Sequence, residues 1–347
     1  MKVLVAMSGG VDSSVAAAVL VAAGHDVTGA TMRLWGGPSD TGCCAVSDVD
    51  DARRVAQQLG IDHFVFNFSD AFTAGVVDPY VAAHRDGRTP NPCVACNRTV
   101  KFDRLHRRAA ALGFDAVATG HHARIGRAGD GRWQLLRGAD RAKDQSYVLH
   151  MLGQDVLART LLPVGELTKA EVRDRAAGLG LRTAAKPDSQ DVCFITRGGR
   201  TSFLAGRLAL SPGRLVDRAG AAVGSVDAVQ TVTVGQRRGL GLGGGGQPRY
   251  ALAVDPVAGT VTVGEAADLL VDELRLVELE WVDGAAAGEV AVQCSAHGAP
   301  RPALVEAAGA DGLLVRLREP ARRVAPGQSV VLYDGDRVLG GGIAAPG

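Results

Sequence analysis

Apolar positions in the first 120 residues fall into short runs separated by polar stretches of helical periodicity. KVLVAM (2–7) is a continuous apolar run of the kind buried on both faces of a parallel sheet. SSVAAAVLVAAG follows, with Val15, Val19 and Ala22 at helical spacing and Gly24 placed to end a helix. DVTGATMRL predicts a second strand. SDVDDARRVAQQLG predicts a second helix, whose Ser47 and early acidic residues suit the positive end of its dipole. HFVFNF predicts a third strand, a helix runs into Tyr80, and RDGRTPNPCVACN is expected to be a turn-rich loop. A helix over 98–112 precedes a strand in FDAVATG. This alternation predicts an α/β fold with an N-terminal doubly wound parallel sheet. Ligands of such sheets lie beyond the carboxyl ends of the strands, so MSGGVDSS, the Met32 region and ATGHHA should face one crevice.

The pattern changes after about Thr201. Short β-like runs (RLVD, AAVGSV, YALAVD, TVTVG) alternate with Gly, Pro and Asp, and GLGLGGGGQP reads equally as a functional loop or a bare linker. A second β-rich stretch runs from LLVDELRLVELEWV to the end, with turns at APG and YDGD. The expected organisation is a catalytic domain over 1–205, a small central β-rich domain over 206–267 and a β-barrel-like domain over 268–347.

Composition narrows the class. At 347 residues the chain is long for a single core, and 46% apolar residues with mean hydropathy +0.08 fit an ordinary folded protein. No apolar run approaches the ~18 residues of a membrane span, and no basic-plus-apolar leader opens the chain, so a cytoplasmic location is expected. The net charge of +1 excludes bulk polyanion binding. Locally, though, 84–108 carries Arg85, Arg88, Arg98, Lys101, Arg104, Arg107 and Arg108 against Asp86 and Asp103, which suits either a solvated face or nucleic acid. Only five of the 38 Lys and Arg residues are lysine, so each lysine kept merits notice. Cys43, Cys44, Cys93, Cys96, Cys193 and Cys294, in a reducing compartment, suit catalysis, redox chemistry or metal binding better than structural disulfides.

MSGGVDSS has the form of an anion cradle: backbone N–H groups at the start of a helix, glycines for close approach, and hydroxyls from Ser8, Ser13 and Ser14. It lacks the lysine of a γ-phosphoryl-transfer loop. Asp12 is placed to hold Mg²⁺ against phosphate oxygens. Placed after an N-terminal strand, SGGVDSS resembles the pyrophosphate loop of enzymes that cleave ATP to AMP and pyrophosphate. With PNPCVACNRTVKF, ATGHHA, KDQSYVL, KPDSQDVCFI, VGQRRGLGLGG and PGQSVVLYDGD…LGGGI in order, the whole chain resembles the bacterial tRNA-specific 2-thiouridylase family. That family installs sulfur at position 2 of the wobble uridine.

The resemblance implies ATP contacts from Ala6, Met7, Ser8, Gly9, Gly10, Val11, Asp12, Ser13, Met32 and Gly120. It implies tRNA contacts from Asn91, Pro92, Cys93, His121, Lys143, Asp144, Gln145 and Gln328. It makes Cys96 the nucleophile and Cys193 the persulfide carrier, the two pairing transiently as a disulfide. A cysteine desulfurase or sulfur-carrier protein is the implied donor. Lys186, Asp188 and Ser189 upstream of Cys193 are expected to raise its thiolate fraction or steady its loop. Many family members carry Asp where this chain has Cys93. The three thiols Cys93, Cys96 and Cys193 therefore also suit a [4Fe–4S] cluster with one open iron. Two alternatives stay open: another ATP-pyrophosphatase such as a 4-thiouridine synthetase, and a non-catalytic iron–sulfur or RNA-binding protein. The family's Arg-Tyr pair near the end is replaced by HGAPRP, with Arg301 the residue expected to compensate.

Overall fold

The computed structural model describes residues 1–35, 46–188, 192–195, 199–242, 247–306, 309 and 312–346. Cys43, Cys44, Ser189 and the centre of the glycine-rich stretch (243–246) lie outside the described residues.

Strands β1 (Lys2–Ala6), β2 (Asp26–Arg33), β3 (Asp62–Asn67), β4 (Ala116–Ala118) and β7 (Thr160–Leu161) form one parallel sheet in the order β3-β2-β1-β4-β7. Val3, Leu4 and Val5 of β1 are fully buried, as an uninterrupted apolar run at the middle of a sheet must be. The helix Val11–Ala22 packs Val15, Ala16 and Ala17 onto one face, its alanines allowing close approach. β1 leads outward to β2 and β3 on one side, with β4 and β7 on the other. The crevice expected at such a switch point opens beyond the carboxyl ends of β1 and β4.

One stretch departs from expectation. PNPCVACN is not a loop: Pro92–Cys96 is α-helical and runs on through a π-helical segment, Asn97–Arg104, into the helix Leu105–Ala111. Asn-Pro reads as a turn signal, but Pro also suits the first helical position, where its missing N–H costs nothing. Asn91 caps this start by accepting from the Cys93 N–H at 3.0 Å. The π segment also alters the helical spacing of the basic residues Arg98, Lys101, Arg104 and Arg108. Arg98 pairs with Glu280, while Arg108 lies over the Phe66 ring.

The β-rich half contains two sheets. β8 (Gly213–Val216), β9 (Ala222–Val226), β10 (Tyr250–Asp255) and β11 (Thr260–Gly264) form a four-stranded sheet in the order β10-β11-β8-β9. β12 (Leu270–Trp281), β13 (Gly288–Gln293), β14 (Arg301–Val305), β15 (Leu313–Arg322), β16 (Ser329–Asp334) and β17 (Arg337–Ala344) curl into a barrel closed by β12–β17 pairing. An N-terminal hairpin, β5 (Ala123–Arg127) and β6 (Trp133–Arg137), extends this sheet: Leu135 and Leu136 pair with Val338 and Arg337 of β17. The boundary near residue 268 is therefore bridged by strand pairing across 200 residues of sequence.

Candidate nucleotide and thiol site

The loop after β1 is held from behind and open in front. Gly9 has φ +73°, and a Cβ there would overlap the Asp48 backbone carbonyl, so only glycine fits. The Gly9 carbonyl accepts from Lys186 Nζ at 2.9 Å, and the same ammonium reaches Asp48 Oδ1 at 2.6 Å and Asp51 Oδ2 at 2.9 Å. Ser14 Oγ donates to the Gly10 carbonyl at 2.8 Å, and Ser13 Oγ accepts from the Ser8 N–H at 3.2 Å. The helix Val11–Ala22 thus starts with its carbonyls tied down and its first N–H groups turned to the crevice, the arrangement that binds anions. Gly120, at the end of β4, closes the other wall. A Cβ there would lie 2.5 Å from the Ser13 nitrogen.

Asp12, in the first turn of that helix, has two partners on the front side. Lys169 Nζ lies 2.7 Å from both of its oxygens and His122 Nε2 3.1 Å from one. Burial opposes its charge, but hydrogen bonds from His122 and Lys169 outweigh burial and hold its carboxyl below the usual range. Asp188 takes Lys169 at 3.0 Å, Lys143 at 2.8 Å and Arg173 at 2.8 Å. Burial again opposes the charge, and these cations prevail, bringing the Asp188 carboxyl down to about 2. Both oxygens of Asp12 are thus engaged, and the geometry gives no support to Asp12 as a dedicated magnesium ligand. Among the described residues no three His, Cys, Asp or Glu side chains gather to hold a metal. The alternative of a cluster on Cys93, Cys96 and Cys193 draws no support from this arrangement. Cys93 is exposed and Cys96 buried on successive turns of one helix.

Cys96 and Cys193 do share one environment. Cys96 belongs to an apolar cluster of Leu34, Phe72, Tyr80, Val100, Phe194 and Phe203, against which Met32 and Cys193 pack. Phe194, 1% exposed, anchors the Cys193 segment: its ring centroid lies 5.0 Å from Phe203, 5.4 Å from Tyr80 and 5.7 Å from Phe72. Burying such a ring stabilises by roughly 1.5–3 kcal/mol, enough to dock a short segment. Met32, at the end of β2, joins this cluster to the sheet, so the thiols lie at the same strand ends as the loop.

The residues expected at tRNA divide into two kinds. Lys143 and Cys93 reach solvent. Asn91 caps its helix and Pro92 is buried. His121 is buried, donating to or accepting from Thr119 at 2.7 Å; burial pushes its imidazole down to about 3, so it is neutral. Asp144 is an internal strut, its carboxylate accepting from Arg137 and from Gly138 and Ser146. The Gln145 side chain accepts from the His122 N–H at 2.9 Å, setting the imidazole that meets Asp12. Gln328 donates to the Thr89 carbonyl, and the Thr89 N–H donates to the Pro326 carbonyl at 2.8 Å. The barrel turn thereby buttresses the segment that leads to Asn91. Arg301 opens β14 and is exposed. Cys294 is half-buried against the barrel core, where burial pushes its thiol up to about 11.

Lys169, Asp48, Asp51 and Arg173 were not singled out by motif. The one sequence signal for Lys169 was its being a lysine in a chain that has few. Lys186 and Asp188, expected to raise the Cys193 thiolate fraction or steady its loop, brace the loop after β1 and its lysine.

Three family models match the chain in series: the tRNA methyl transferase HUP domain over 1–197, its PRC-barrel domain over 201–265, and the aminomethyltransferase beta-barrel domain over 271–344. Curated relatives match end to end. The tRNA-specific 2-thiouridylase MnmA of Chloroflexus aggregans is 50% identical over 355 residues, covering 99% of each chain. Its namesake in Chloroflexus aurantiacus is 49% identical with the same coverage. That of Mycobacterium avium is 48% identical over 98% of each. A nucleotide cradle at the first strand's tip and two thiols at the neighbouring strand ends agree with these matches: the chain belongs to the tRNA-specific 2-thiouridylase family.

Proposed function

We propose that this protein replaces O2 of the wobble uridine of tRNA by sulfur, at the expense of ATP cleaved to AMP and pyrophosphate. The observation that carries the reading is the shared apolar cluster of Cys96 and Cys193, joined through Met32 to the sheet edge where the anion cradle lies. The words "methyl transferase" in the family models describe a transfer for which a pyrophosphate loop and paired thiols have no use.

Sulfur cannot displace a carbonyl oxygen directly, because oxide is too poor a leaving group. In this reading uridine O2 attacks the α-phosphorus of ATP, which is held with its magnesium as substrate in the cradle, and pyrophosphate departs. A persulfide on Cys193, loaded by a cysteine desulfurase or a sulfur-carrier protein, attacks C2 with its outer sulfur, and AMP leaves carrying O2. The Cys96 thiolate then attacks Cys193 Sγ. The S–S bond to the base breaks, 2-thiouridine is released and a Cys96–Cys193 disulfide remains for an external thiol to reduce. The exposed Cys93 at the mouth, with Asn91 and the barrel turn behind it, is where an unstacked uridine would be received.

The test uses purified protein, a tRNA transcript, ATP and a desulfurase with cysteine, with 2-thiouridine read by mass spectrometry and AMP counted alongside. One AMP per thiouridine is expected. Cys193→Ser should lower thiolation by more than about 1,000-fold while AMP is still formed, since removal of a covalent carrier leaves no alternative path. Thiolation that survives in Cys193→Ser refutes the relay. Iron retained in stoichiometric amount and required for activity would instead favour cluster chemistry.

A further inference from the structure

Three of the chain's five lysines, Lys143, Lys169 and Lys186, gather around the loop after β1. Their surroundings differ. Lys186 lies behind the loop, committed to Gly9, Asp48 and Asp51. Lys169 lies in front, 12% exposed, with its ammonium against Asp12 in the very turn that offers N–H groups to an anion. An ionised Asp12 alone at that place would repel a triphosphate; the ammonium cancels it.

Both carboxylates that hold Lys169 have other donors. Asp188 keeps Lys143 and Arg173, each at 2.8 Å, and Asp12 keeps His122 at 3.1 Å. Lys169 can therefore turn one of its three N–H donors away from Asp188 without stranding a charge, which would otherwise be strongly destabilising. Its backbone is fixed meanwhile: Thr168 caps the helix Lys169–Gly178 in a capping box, and the Lys169 N–H donates to Asp140 at 2.9 Å. A rigid base, a long side chain and replaceable partners are what a phosphate-seeking cation needs.

We propose that Lys169 is a phosphate-contacting residue of the nucleotide site, parked on Asp12 and Asp188 and transferred in part to the ATP phosphates on binding. Asp12 and Asp188 are then positioning residues for this ammonium. The proposal rests on the reading of the loop as an ATP site, and names the cation that the glycine-rich loop itself lacks.

The experiment is calorimetric titration of the full chain and of Lys169→Gln and Lys169→Arg with ATP, with pyrophosphate and with adenosine. Glutamine can still donate to Asp12, and far-ultraviolet circular dichroism checks that the variants are folded. Loss of a charge-assisted hydrogen bond predicts about 10- to 100-fold weaker ATP and pyrophosphate binding in Lys169→Gln. Adenosine affinity should be unchanged, and Lys169→Arg should recover most of the loss. ATP and pyrophosphate affinities within twofold of wild type in Lys169→Gln overturn the proposal, as does an equal fall for adenosine. If Lys169→Gln does not fold, failure of the folded Lys169→Arg to bind pyrophosphate more than tenfold better than adenosine overturns it. Absence of ATP binding by the wild-type chain is a different result: it sinks the nucleotide reading, and this one with it.

Discussion

At the tip of β1 the side chains that shape the crevice are charged, and nearly every charge has two or more partners: Asp12, Asp188, Lys169 and Lys186. Around Cys96 and Cys193, joined to the sheet through Met32, the wall is Phe72, Tyr80, Phe194, Phe203 and Trp35. The contrast matches two chemical needs. Phosphates are best held by preorganised dipoles and fixed charge. A persulfide is best kept where water does not compete with the intended electrophile. In the proposed reading the polar half serves activation and the dry half transfer, and each half should be open to damage without the other.

On AMP formation, the largest effect is expected from Gly120→Val. Its Cβ would fall 2.5 Å from the Ser13 nitrogen, and the contact is with backbone, which cannot rotate aside. AMP formation should fall at least about 100-fold, consistent with the cost of displacing a positioning element by an ångström. Wild-type AMP release in this variant would mean that the β4 tip is not a wall of the nucleotide site. Phe194→Ala attacks the dry half alone. The lost ring should unseat the Cys193 segment at a local cost of about 3–5 kcal/mol. Thiolation should drop on the order of tenfold or more while AMP release stays within about twofold. If both activities fell together, the two halves would not be separable.

Acid gives the mildest test. Burial, the largest influence on each, lowers His84, His106 and His150 to about 4 and His121 to about 3. These groups are neutral in the folded chain and gain protons near pH 6.5 once unfolded. Their stabilising contribution is therefore complete above about pH 6.5 and declines as pH falls toward 4, each by on the order of 1 kcal/mol. The ion pairs on Asp188 persist until its carboxyl is protonated near pH 2. Melting temperature should thus drop between pH 7 and pH 5. An unchanged melting temperature over that interval would contradict the burial of these imidazoles.

Much of this was legible in the sequence, for reasons that residue by residue are clear. KVLVAM had to be a central strand, because only a position covered on both faces accommodates an unbroken apolar run. SGGVDSS and ATGHHA announced a shared crevice because strand ends in such sheets converge. Pro92–Cys96 was misread because Asn-Pro is an equally good sign of a turn and of a capped helix, and the packing of Val94 and Cys96 decides between them. The pairing of Lys169 with Asp12 spans 157 residues and leaves no local pattern. The same holds for Asp144: KDQ is a motif, but nothing in it says that the carboxylate turns inward to Arg137.

The hairpin β5–β6 has a bearing on how the molecule is made. Its outer partner, β17, is the last strand among the described residues, and Arg337 and Val338 complete the ladder that Leu135 and Leu136 begin. While the polypeptide emerges from a ribosome, the N-terminal half waits with an unpaired, apolar edge until some two hundred further residues have been added. Such an edge invites the wrong neighbour. A chain cut anywhere between residues 138 and 336 would therefore keep that edge unpaired and should be prone to clump.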